Sequence, residues 1–207
     1  MPPRIPQSVL TRPSLTASSW RSDQHTEATL ARVEQVLLDQ VMYTDYGQLD
    51  ITWGEDGYFD GDFDRSYQGQ VNGLVGAANP QGMHINLARR SGGSPVRMVL
   101  WDSQPALDAP QWEDIVEVSI EVPEGHQATW STWAGTDTGP LSIPPGSYYR
   151  VRVCARGRDE GQAGELEEGT VDDYLVQLWP APWQPDAILQ VRSHDANYWH
   201  QEVGSRR

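Results

Sequence analysis

Two acidic clusters are the residues best placed to do chemistry. The first is Glu55, Asp56, Asp60, Asp62 and Asp64. Asp60-Gly-Asp62-Phe-Asp64 has the alternating carboxylates of an oxygen-ligand calcium loop. Arg65 stands where such a loop needs its glycine, and Val71 where it needs a bidentate glutamate. The cluster therefore reads better as a solvated loop, or as an acidic surface that meets a basic partner. The second cluster runs from Gly157 to Asp173. It holds Asp159, Glu160, Glu165, Glu167, Glu168, Asp172 and Asp173, with Arg158 as its one cation. In the plain reading this is a mobile, solvated turn. Carboxylates at this density can also imitate the phosphates of a nucleic acid and so fit a basic groove.

Other constellations point to structure. Arg150, Arg152 and Arg156 share one face of a strand, and Glu117 and Glu121 share one face of another. If those strands are neighbours, the residues form a cross-strand charge ladder; an anion-binding face is the alternative. Cys154 lies on the arginine face, where nearby cations would lower its pKa, but no Cys-His pairing is readable and a buried inert thiol is the better expectation. His194 and His200 are six apart, which is no zinc-ligand spacing, and His84 and His126 fall on different strands. Neither a nucleophile elbow, an H-E-x-x-H zinc motif, a P-loop nor a dinucleotide fingerprint occurs. No catalytic residue, metal or cofactor is assigned. Trp130, Trp133, Trp179, Trp183 and Trp199 are candidates for a stacking platform, although several must serve the core.

The elements that would hold these groups follow from periodicity. Tyr149, Val151, Val153 and Ala155 alternate with Arg150, Arg152, Cys154 and Arg156, which predicts a strand over 148–156. Pro144-Pro145-Gly146 before it is a turn. Tyr174 to Trp179 is a second β-type run, so the two form a hairpin with a long acidic connection. Val116, Val118, Ile120 and Val122 give the cleanest period-two signal. Further strands are predicted over 48–53, 83–87, 96–101, 127–133, 141–143 and 188–192, with 83–87 and 96–101 paired as a hairpin. Leu30, Val33, Val36 and Leu37 make an apolar stripe that predicts a helix over 26–40.

The expectation is an all-β fold: an antiparallel, jelly-roll-like β-sandwich of about eight strands. Its parts are a disordered segment 1–25, the helix 26–40, the sandwich 41–192 and a C-terminal tail 193–207. Strands with one apolar and one polar face pack on the core from one side only.

Composition narrows the function classes. The 207 residues carry a net charge of −14, and all fifteen cations are arginine. Such acidity argues against a nucleic-acid binder, which needs a basic stripe to displace counterions. It fits a soluble protein or one that docks on a basic surface. One cysteine allows no internal disulfide. The proline-interrupted start has no signal-peptide core, and no apolar run approaches the roughly 20 residues of a membrane span. Cytoplasmic is the expected location.

The order of features resembles the DNA-entry nuclease inhibitor, or competence protein J-like, family of small bacterial β-sandwich proteins. The residues that carry the resemblance are Tyr43 to Ile51, Asn72 to Asn79, Val116 to Val122, Leu141 to Val153 and Tyr174 to Trp179. It spans about residues 41–190. It implies a β-sandwich that binds and inhibits a nuclease and carries no catalytic residues. On this reading the chain is a non-enzymatic partner of a basic protein such as a nuclease or toxin. Asp60, Asp62, Asp64, Asp159, Glu160, Glu165, Glu167 and Glu168 would face that partner. A sandwich that binds glycans or small ligands through exposed tryptophans is the alternative. A hydrolase that uses the acidic cluster with a metal is a third.

Overall fold

The structure, a computed structural model, describes residues 34–54 and 62–204. Among these residues eleven strands form two sheets. The larger sheet contains β1 (Glu34–Asp45), β5 (Ser91–Trp101), β10 (Asp173–Pro180), β9 (Ser147–Arg156), β6 (Asp114–Val122) and β11 (Ala187–Gln190), in that spatial order. The smaller contains β3 (Val75–Gly76), β4 (Gly82–Asn86), β2 (Gln48–Thr52), β7 (Ala128–Thr132) and β8 (Thr138–Leu141). Helices are short: α1 (Phe63–Ser66), α2 (Arg158–Ala163) and α3 (His194–Trp199), which runs on into a π-turn over His200–Gly204.

The all-β, two-sheet architecture agrees with the sequence expectation. β9 and β10 pair antiparallel from Arg156 opposite Asp173 to Tyr149 opposite Pro180, as the alternation requires. Gly146 closes the turn before β9 at φ +79°, a conformation that favours glycine. Inward residues of both sheets make one core, with Val116, Val118, Val151, Val176 and Leu178 of the larger sheet packed with Leu49, Ile51, Met83, Ile85 and Ala128 of the smaller. Each large aliphatic side chain among them contributes about 1.5–3 kcal/mol on burial.

Four expectations are corrected. Residues 34–40 belong to β1, not to a helix. The register of β1 against β5 shifts between Val36 and Leu38. That bulge places Leu37 and Leu38 side by side in sequence and hides the period of two that resumes at Leu38, Met42 and Thr44. Residues 34–40 are therefore part of the larger sheet. The predicted hairpin of 83–87 with 96–101 does not exist, because β4 and β5 lie in different sheets. The fold is also not wholly antiparallel, since β5 and β10 pair in parallel. Finally, the polar face of the larger sheet is covered. Arg152 Nη1 reaches Pro105 O at 3.2 Å, and Arg150 Nη1 reaches Gln184 O and Pro185 O, so the segments before β6 and before β11 lie over it. The expected disordered segment 1–25, and residues 26–33 of the expected helix, lie outside the described residues.

Residues 193–204 fold against the sandwich. Ala196 and Val203 are buried, and Gly73 and Gly204 make the contact close. A Cβ at Gly73 would stand 1.9 Å from Trp199 O, so only glycine fits there.

Among the described residues no helix is long and apolar enough to cross a membrane.

Candidate functional site

The covered face of the larger sheet holds the predicted charge ladder. Glu117 receives Arg150 Nε at 3.0 Å on one carboxylate oxygen and Arg152 Nε at 2.9 Å on the other. Both guanidiniums are almost fully buried, and the Arg152 group also lies over the Trp179 ring. Arg156 pairs with Asp173, and the Tyr148 hydroxyl hydrogen-bonds Glu121. Cys154 is buried on this face. Burial pushes its thiol up to about 12, outweighing the Arg152 charge that pulls the other way. Arg150 and Arg152 are internal structure, while Arg156 stays at the surface, paired with Asp173.

The acidic connection between β9 and β10 is not a bare turn. After Gly157, α2 carries Arg158 into the interior. Its Nε and Nη2 fork onto Asp195 Oδ2 at 2.9 and 2.6 Å, and Nη1 donates to Asn86 O at 2.9 Å. Asp159 turns toward α3, where its two oxygens accept from His194 N at 3.1 Å and Asp195 N at 2.8 Å. Ser193 Oγ accepts from Ala196 N and completes the helix cap. Burial alone would raise the Asp159 carboxyl, but these two N–H groups and the charges of His194 and Arg158 hold it below the usual carboxylate range. For Asp195 burial prevails over Arg158 and raises it.

The far half of the connection is tied down by a distant arginine. The Arg89 guanidinium donates to Glu167 O, Gly169 O and Gly93 O. Asp172 is buried, accepting from Ser94 Oγ at 2.6 Å and the Tyr174 hydroxyl at 2.9 Å. Glu165 stands 3.8 Å from Arg90 at the surface. Glu160, Glu167 and Glu168 are left exposed to solvent. Between α2 and α3 opens a cleft of about 610 Å³, lined by Asp159, Gln162, His194, Asp195, Tyr198 and Trp199. Two carboxylates and two aromatic rings around such a space can receive a cationic side chain.

The described part of the first acidic cluster, Asp62 and Asp64, is elsewhere. Asp60, with Glu55 and Asp56, lies outside the described residues. Asp62 caps α1, its Oδ1 accepting from Arg65 N at 3.1 Å, and both Asp62 and Asp64 are exposed. Helix α1 rests on the smaller sheet, with Phe63 packed edge-on against His84. The second cluster stands at the ends of β9 and β10 of the larger sheet, so the two occupy different elements.

Sequence reasoning missed the contribution of α3, whose His194, Tyr198 and Trp199 line the cleft. Its signal was Ser193 followed by Asp195, a cap residue with an acid in the first turn. It also missed a His–Asp pair on the outer face of the smaller sheet, where His84 Nδ1 lies 2.7 Å from Asp50 Oδ1. Ser131 is opposite Asp50 on the next strand. The row runs serine, aspartate, histidine, whereas nucleophile activation needs the histidine between the other two.

Of the candidate stacking tryptophans, Trp130 and Trp179 are buried, while Trp133 and Trp183 are exposed.

Neither known protein families nor curated proteins match the sequence significantly. Two solved structures are similar. One is ComJ, inhibitor of the DNA degrading activity of NucA, from Bacillus subtilis, at TM-score 0.49 and 15% identity, covering 72% of this chain and 99% of that one. The other is described as crocagin biosynthetic gene J, at TM-score 0.44 and 18% identity, covering 72% of this chain and 98% of that one.

Proposed function

We propose that the protein is a non-enzymatic binding protein that docks a basic partner, a nuclease, and inhibits it. One observation carries the proposal. Of the nine arginines in the described residues, Arg89, Arg150, Arg152 and Arg158 are buried, whereas most carboxylates remain at the surface. Asp50, Asp114, Glu117 and Asp172 are buried as well, so the buried charges balance and the whole negative excess of the described residues lies at the surface. A field of one sign steers a basic protein and raises its association rate. Glu160, Glu165, Glu167 and Glu168 form the docking edge, with Asp159 in the wall of the adjoining cleft. Asp62 and Asp64, exposed at the start of α1, form a second acidic surface. A nuclease is the partner class that the strand-pattern resemblance implies.

The test is to titrate the protein into purified nucleases of its source organism, one at a time, following DNA degradation and the association rate. Inhibition of one of them is expected, with a rate that falls steeply as salt rises. Reversal by Glu160→Lys, Glu167→Lys and Glu168→Lys together should slow association at least about tenfold. If no nuclease is inhibited, or if the reversed variant inhibits as well as the parent, the proposal fails.

A further inference from the structure

A second cleft lies where the larger sheet meets the smaller one, away from the acidic edge. It has two adjoining compartments of about 340 and 300 Å³, with Trp183 in the shared lining. Ser119 and Trp183 line both. Asn79, Glu121, Tyr148 and Trp53 belong to the larger compartment alone. Trp183 is 62% exposed and Tyr148 44%, so two aromatic groups face open solvent at the entrance.

The polar groups here are incompletely matched. Asn79 is 2% exposed, and its Nδ2 has no acceptor among the described residues. Its orientation is fixed, because Oδ1 accepts from Gln81 N at 3.0 Å. A buried amide donor without a partner costs about 1–3 kcal/mol, so it marks a place where an acceptor is wanted. Ser119 adds a second donor. Its Oγ accepts from Arg150 Nη1 at 3.1 Å and from Gln184 N at 3.0 Å, which engages both lone pairs and leaves the O–H to donate. Glu121 supplies the acceptor, held by the Tyr148 hydroxyl.

We propose that this cleft binds a neutral saccharide, with one ring in each compartment. Sugar hydroxyls both donate and accept, so one molecule can satisfy the Asn79 amide, the Ser119 hydroxyl and the Glu121 carboxylate together. The C–H face of a sugar ring carries slight positive charge and suits the electron-rich faces of Trp183 and Tyr148. An anion is disfavoured, because among the described residues no arginine or histidine lines either compartment while Glu121 and Asp186 do. A cation is disfavoured by the two donors. The site is independent of the nuclease-docking proposal, and either can stand without the other.

The test is an amide and indole NMR titration of the full chain with glucose, galactose, N-acetylglucosamine and their β-1,4-linked dimers. At least one dimer should shift the signals of Trp183, Asn79 and Ser119 with a Kd of about 1 mM or tighter. Trp183→Ala, at an exposed position, should weaken it at least about tenfold. Asn79→Asp keeps the acceptor for Gln81 N but replaces the donor with a second acceptor, and should weaken it similarly. Absence of shifts with every sugar at about 50 mM overturns the proposal. Binding that is unchanged in both variants overturns it too. So do shifts produced by N-acetylarginine amide and by no sugar.

Discussion

Changing Glu117 to glutamine probes the buried charge row directly. Glu117 is the shared acceptor of Arg150 and Arg152, at 3.0 and 2.9 Å. The two guanidinium side chains are only 4% and 2% exposed, so water cannot replace the lost charge. The substituted side chain would keep the shape, but its amide nitrogen would meet an N–H donor. Two buried cations would then face each other without a counter-charge. Breaking a buried pair in this way costs about 3–5 kcal/mol. With an m-value of about 2 kcal/mol/M, the urea midpoint falls by about 2 M at unchanged m. The control is Asp39→Asn, which loosens the exposed Arg97 pair and should cost less than about 1 kcal/mol. Far-ultraviolet circular dichroism in urea reads both. A loss below about 1 kcal/mol for Glu117→Gln would refute the reasoning, since the arginines would have to be hydrated and the outer face of the larger sheet open.

Two further outcomes follow from the docking of the C-terminal helix. His200 Nδ1 accepts from Gly73 N at 2.9 Å, and burial, with the Arg158 charge, lowers the imidazole to about 4. The unfolded chain takes up that proton near pH 6.5 and the folded one does not, so stability is full above pH 6.5 and declines as pH falls toward 4. The total loss from this group is about 3 kcal/mol, measured as urea midpoints against pH, and His200→Gln should flatten that part of the profile. Gly73→Ala forces a methyl against Trp199 O and should cost about 3 kcal/mol or release α3, read as faster hydrogen exchange over residues 194–203; unchanged protection there would contradict the close packing.

The strands of the core were legible because their side chains obey a period of two. β6 and the β9–β10 hairpin were readable from Val116–Val122, Tyr149–Ala155 and Tyr174–Trp179. So was the pairing of Glu117 with Arg150 and Arg152, because both strands present their polar residues on one face. β1 was not legible, since a one-residue bulge after Val36 breaks the alternation and leaves a spacing that also suits a helix. The assignment of β4 and β5 to different sheets was equally hidden, because alternation tells which face is buried and not which strand lies alongside.

For the acidic connection, sequence alone determined its charge, its length and its place between two paired strands. Those are local properties of residues 157–173. Only the tertiary structure decided which of its carboxylates remain available. Arg89 comes from 78 residues away to hold Glu167 O, and Asp159 and Arg158 are claimed by a helix that begins at His194. Burial of a charge depends on partners brought together by folding, and no local pattern records them.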